Sequence, residues 1–147
     1  MIRRKMEPRD VRRCLEVRTS VRENSYSIEA LRQEGITEEA VATMLATTHR
    51  GWVCEIGERI VGFSIGNRSN GEFWVIAVLP EFEGRGIGRQ LMEQAVQWLR
   101  ANACAAIWLR TSPDISTRAY GFYRKFGWQD CSIQDGQRVM KLRQDKA

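Results

Sequence analysis

Apolar positions along the chain follow two periods, and the order in which they alternate outlines a fold. Residues 2–6 read as a short first strand. In residues 8–19, Val11, Cys14 and Leu15, with the stem of Arg18, fall on one helical face, and Pro8 suits a first helical turn. Ser27 is placed to cap a short helix over 28–34 that Gly35 ends, and Thr37 to cap another whose apolar face is Val41, Met44 and Leu45. After Gly51 the period shortens. Residues 52–56 and 60–65 predict two strands joined at Gly57-Glu58, and 72–79 predicts a third after a turn over 67–71. Leu91, Met92, Ala95, Val96, Trp98 and Leu99 then recur at helical spacing over 86–103. Residues 105–111 form the next strand, and Ser116 or Thr117 caps a helix ending near Gly127. A hairpin over 128–133 and 138–142 completes a set of seven strands. The order predicts an α/β chain: one mixed sheet of about seven strands with helices on both faces, in a single domain over 1–147.

One junction stands apart. The apolar run from Phe73 to Leu79 stops at Pro80, which has no N–H for a ladder. Gly84, Gly86 and Gly88 follow on alternate positions, immediately before the longest helical pattern. A strand, a glycine turn and a helix start make an anion site, because the first-turn N–H groups are free and the helix dipole favours negative charge. The spacing excludes two nucleotide motifs. Arg89-Gln90 stands where a Walker A loop needs Lys-Ser/Thr, and a Rossmann turn needs a wider gap before its third glycine and an acidic residue about 20 positions on.

Composition adjusts this picture little. Hydrophobic residues are 43% and charged residues 28% of the 147, as in an ordinary globular domain. No apolar run approaches the roughly 18 residues of a membrane span, and no apolar stretch follows the basic N-terminus as a secretion signal would require. Cys14, Cys54, Cys104 and Cys131 lack metal or redox spacing and lie in or beside apolar segments. They read as reduced small core residues, which fits a cytoplasmic protein. The net charge of +5 comes from scattered arginines; a nucleic-acid module would leave the glycine spacing unexplained. No metal, nucleic acid or membrane partner is expected.

Val78-Leu79-Pro80 followed by Gly84-Arg85-Gly86-Ile87-Gly88-Arg89 resembles motif A of the Gcn5-related N-acetyltransferases (the GNAT family). The run from Ala119 to Trp128, Ala-Tyr-Gly-Phe-Tyr-Arg-Lys-Phe-Gly-Trp, resembles that family's later motif. The resemblance covers nearly the whole chain. It implies a three-layer GNAT fold and an acetyl-CoA-dependent N-acetyltransferase, with acetyl-CoA as co-substrate. Ile76, Ala77 and Val78 would hydrogen-bond the pantetheine arm. Gly84, Arg85, Gly86, Ile87, Gly88 and Arg89 would hold the pyrophosphate. The next strand would splay from this one, with Val78 and Trp108 marking the two sides of the gap.

The same resemblance assigns roles at the reacting centre. Tyr123 matches the tyrosine that serves as general acid to the departing thiolate. Glu72 falls where some members carry a base, six residues before the terminal valine; the strand position that others use holds Arg110. His49 is a nominal second base. Ser116 stands where the family often has an asparagine near the pantetheine. Glu83, usually arginine or glutamine, does nothing for a pyrophosphate, and a side chain directed to solvent would make it harmless. The acceptor would be a primary amine of a small molecule or protein, met by Arg22, Glu23, Asn24 and Tyr26 and by the last hairpin. Trp74 would wall that pocket or fill the core. A homodimer is common in such proteins. The alternative is a module that binds acyl-CoA without chemistry.

Overall fold

The computed structural model describes residues 1–21 and 27–143. Seven strands form one sheet in the order β1-β2-β3-β4-β5-β7-β6. They are β1 (Ile2–Lys5), β2 (His49–Ile56), β3 (Arg59–Asn67), β4 (Glu72–Val78), β5 (Trp108–Thr111), β6 (Trp128–Gln134) and β7 (Gln137–Leu142). Five α-helices connect them: α1 (Val11–Thr19), α2 (Ile28–Gln33), α3 (Glu38–Thr47), α4 (Ile87–Ala101) and α5 (Arg118–Phe126). Every ladder is antiparallel except β4 with β5.

The local signals explain the elements. Ser27 accepts from the Ala30 N–H and Thr37 from the Ala40 N–H, both at 3.1 Å, so each hydroxyl serves one orphan donor of its helix start. Thr117, rather than Ser116, caps α5. Residues 8–10 make a 3-10 turn before α1. There the buried Asp10 accepts from Arg4 (2.8 and 2.9 Å) and from the Glu7 N–H (2.8 Å). Arg4 holds the Asp10 carboxyl below its ordinary value and ties β1 to the start of α1.

The predicted starts shift where pairing overrides pattern. β2 begins at His49, three residues earlier than the apolar run, because His49 and Arg50 pair with Asn67 and Gly66. β5 is shorter than predicted and starts at Trp108. Cys14 and Cys54 are buried as expected, but Cys104 is only partly covered and Cys131 is exposed. Cys131 is the extra residue of a bulge on β6, the edge strand, between the pairs Asp130–Met140 and Ser132–Val139.

The main core lies between the sheet and α4. Leu91, Met92, Ala95 and Leu99 are fully buried there. Gly62 admits the helix closely: a Cβ there would stand 3.3 Å from Leu91 and 3.2 Å from the Ala77 carbonyl, tighter than ordinary contact. Buried Ser64 donates to the Leu91 carbonyl at 3.0 Å. The opposite face of β3 and β4 is covered by α1.

Candidate active site

β4 and β5 share one ladder pair, Glu72 with Trp108, and then part. Two bonds pin the closed end: the Trp108 N–H donates to Gly71 O (3.2 Å) and its indole Nε1–H to Asn70 O (2.9 Å). Trp108 is therefore the apex of the gap, not its far wall. From Trp74 to Val78, the edge of β4 that faces β5 has no ladder partner among the described residues. Such an edge offers N–H and C=O groups to an extended ligand.

A groove of about 530 Å³ opens on this edge. Ile76, Ala77 and Val78 line it from β4, and Gly84, Gly86 and Gly88 from the turn. Gly84 and Gly86 take φ of 77° and 80°, a left-handed conformation that glycine adopts without penalty. A Cβ on either would meet nothing within 4 Å, so the backbone itself forms this wall. Gly86 is the N-cap of α4, and no side chain caps that helix. Its first-turn N–H groups are left for an anion. Gly88 serves packing instead. A Cβ there would stand 3.4 Å from the Phe122 ring, about van der Waals contact, so α5 packs directly beside this turn of α4.

The sequence-predicted groups divide here. Ile87 is 1% exposed and anchors the helix start in the core. Arg89 lines the groove while pairing with Glu93 at 3.1 Å. Arg85 does not line it; its guanidinium stacks on Phe82, 5.0 Å from the ring centre. Arg118 and Lys125, which sequence reasoning missed, line the groove from α5, and Lys125 supplies further positive charge. Ser116 turns into its own loop, donating to Asp114 Oδ1 at 2.7 Å, and does not line the groove. Glu83 is not turned to solvent. Its side chain is 16% exposed and pairs with Arg118 at 3.2 Å, so the carboxylate at the groove is neutralised by a partner from α5.

Tyr123 lies in the same groove, 9% exposed. Its ring packs against Phe122 and Trp128. Its hydroxyl makes no hydrogen bond among the described residues, and it is not one of their fully buried unpartnered polar atoms, so it opens on the groove. Burial pushes the phenol up to about 12, with Arg18 acting in the opposite direction. Tyr120, one turn earlier, is committed elsewhere. It donates to Asp130 Oδ2 at 2.8 Å, and Asp130 also accepts from Arg138 at 3.2 Å.

A second cavity, of about 340 Å³, lies across β4 under α1, α2 and α3. It exists in this form because of a bulge. Ile65 pairs with Val75 and Gly66 with Phe73, which leaves Trp74 as an extra residue. The alternation of faces slips by one there. Glu72, Trp74 and Val75 thus all reach this cavity, while Phe73 packs on the other face against Trp128 (5.9 Å). Trp74 is a wall of this cavity, with His49 edge-on to it at 5.4 Å. The unbroken apolar run 72–79 carried no sign of this slip.

Glu72 is half-buried, and burial raises its carboxyl while the Arg110 charge lowers it. Arg110 and Gln137 join the cavity from β5 and β7, as do Arg18 and Glu34 from the helical side. His49 does not line it; burial lowers its imidazole, and Nδ1 lies 2.7 Å from Thr48 Oγ1. The expected acceptor residues Arg22, Glu23, Asn24 and Tyr26 lie outside the described residues. Val75 lines one cavity and Ile76, next to it on β4, the other, and at the end of α1 Arg18 lines the first while its charge acts on Tyr123 in the second.

Comparison with known proteins gives this arrangement its family. The Acetyltransferase (GNAT) family matches residues 12–128. The chain belongs to that family, as its two motifs implied. It is 34% identical over 73 residues to the uncharacterized N-acetyltransferase ycf52 of Porphyra purpurea, an alignment covering 48% of this chain and 40% of that protein. The matched part is thus less than half the length of such curated relatives. The PaiA N-acetyltransferase of Thermoplasma acidophilum, solved in complex with coenzyme A, superposes with a TM-score of 0.83 over 98% of this chain and 100% of that one at 16% identity. The ribosomal-protein-S18-alanine N-acetyltransferase of Escherichia coli gives 0.74 over 96% and 92% at 19% identity. At such identities the likeness establishes the fold, a seven-stranded GNAT sheet. No helix among the described residues is long and apolar enough to cross a membrane.

Proposed function

We propose that the protein transfers an acetyl group from acetyl-CoA to a primary amine of a small molecule or protein, by direct attack. The observation that carries this reading is the placement of the two cavities on either side of β4. A backbone-walled, cation-rimmed groove lies on one side of β4 and a carboxylate-bearing cavity on the other, and the phenol of Tyr123, without a hydrogen-bond partner among the described residues, lines the groove. Ile76, Ala77 and Val78 fit the pantetheine arm through their backbone groups. The open N–H groups at Gly86 and after it, with Arg89, fit the pyrophosphate.

The chemistry asks three things of the chain. The amine must be neutral, and an alkylammonium near 10.4 falls short by about three units, or roughly 4 kcal/mol, at pH 7. Glu72 is the group in the acceptor cavity that takes this proton, and burial makes its carboxylate a better base than an exposed one. The nitrogen then attacks the acetyl carbon and the C–S bond breaks; negative charge gathers on sulfur, and the surplus proton of the new amide nitrogen passes to the thiolate or to solvent, giving the amide and free CoA thiol. Tyr123 O–H is the donor on the groove side. A thiol sits at about 8.5, so full transfer from a phenol near 12 is uphill by roughly 5 kcal/mol. Tyr123 therefore acts as a hydrogen-bonding acid whose donation strengthens as the thiolate forms.

Thiol release with acetyl-CoA and a panel of amines tests the reading, beside a thermal shift with acetyl-CoA alone. Release with at least one amine, and a Tyr123→Phe turnover lower by about 10²-fold, is expected. A thermal shift without release from any amine would favour an acyl-CoA-binding module instead. A Tyr123→Phe turnover equal to the parent's would remove the acid assignment.

A further inference from the structure

The acceptor cavity carries two opposite charges that face each other without pairing. Glu72 on β4 and Arg110 on β5 stand on neighbouring strands, and Arg110 lies two residues beyond the Glu72–Trp108 pair at the apex of the gap. Both line the cavity. Arg110 is close enough to bias the Glu72 carboxyl, yet no ion pair within 4.0 Å joins them. The guanidinium is held from below by the Trp108 ring, 5.0 Å from its centre, and the indole is fixed by Asn70. A stacked arginine keeps its donor fork open on the outer edge, a shape that suits a carboxylate.

The rest of the lining limits what can sit there. Among the described residues, Arg18 and Glu34 repeat the opposed signs, so the four charged groups of the lining sum to zero. A polyamine would face Arg110 with no anion to offer it. Beneath the charges the wall is apolar: Leu15, Phe63, Ile65 and Trp74. A cavity of about 340 Å³ is at the small end of ligand sites.

We infer that the acceptor is a free α-amino acid with an apolar or aromatic side chain, its amine at Glu72, its carboxylate at Arg110 and its side chain against Trp74 and Phe63. This rests on the acetyltransferase reading and names the substrate class of the same site. An α-amino acid separates its two charges by about the length of two bonds, so one molecule spans two facing groups that do not touch. A peptide or protein N-terminus carries an amide where Arg110 expects an anion, and a simple amine carries nothing.

Calorimetry on the CoA-loaded protein with L-phenylalanine, L-phenylalaninamide, phenethylamine and spermidine tests this without requiring turnover. The amino acid should bind about tenfold or more tighter than the amide and the amine, the size of one charge-assisted hydrogen bond. Arg110→Gln should lose that margin on L-phenylalanine, with no fall in phenethylamine affinity and an unchanged melting temperature. Equal affinities, tighter spermidine, no binding of L-phenylalanine, or an Arg110→Gln protein that keeps the margin would each overturn the inference. Failure of the acetyltransferase reading looks different: acetyl-CoA itself would give no thermal shift, or would bind without thiol release from any amine.

Discussion

The two cavities that meet at β4 are built by opposite means. The groove is made of backbone: an unpaired strand edge, two glycines with positive φ and the uncapped start of α4. The acceptor cavity is made of side chains drawn from three helices and four strands. A backbone site grips what is constant in a ligand, a phosphate or an amide, and tolerates change in its side chains. A side-chain site selects, and a single substitution can alter what it selects.

Substitutions on either side should separate the two. The largest effect is expected from Glu72→Gln. It should lower turnover by about 10²-fold at pH 7 while the thermal shift given by acetyl-CoA stays at the parent's value. A matching loss of that shift would mean the two cavities are not independent. Next is Gly86→Val, which forces a β-branched residue into φ of 80°. The strain of about 1–2 kcal/mol predicts roughly tenfold weaker acetyl-CoA binding, or a distorted turn with greater loss. Acceptor affinity, measured by calorimetry, should be untouched.

The smallest effect is a shift of pH profile. The Arg110 charge lowers the Glu72 carboxyl against the raising effect of burial. Arg110→Gln removes the lowering influence, so the carboxyl rises further and stays protonated to higher pH. A base must be deprotonated to work, so the acid limb of kcat/KM should move to higher pH. A limb that stays in place, or moves down, would argue that Glu72 is not the titrating base.

The same contrast explains what could be read in advance. The groove was legible because contiguous residues build it: Pro80 stops the strand, the glycines turn and the apolar helix restarts the period. Tyr123 was legible through the spacing of Phe122, Gly127 and Trp128 around it. The acceptor cavity was legible only in fragments. Glu72 was placed by counting from Val78, but the bulge at Trp74 changes the face on which it emerges. Arg110 stood out only as a missing carboxylate, since its meeting with Glu72 depends on how β5 joins β4. The contact of Glu83 with Arg118 joins residues 35 positions apart, and nothing local announces it. Strand starts slipped for a similar reason, because His49 enters β2 through its ladder partners rather than its own polarity.

The extra residue at Trp74 works as a phase shift in a repeating signal. On one side of it, even-numbered positions of the strand speak to the second cavity; on the other, they speak to the core helix and the groove. One strand therefore carries two addresses in seven residues. On the proposed acetyltransferase reading, diversity introduced at 72, 74 and 75 would retune what the second cavity accepts, and 76–78 can be left to hold the acetyl donor.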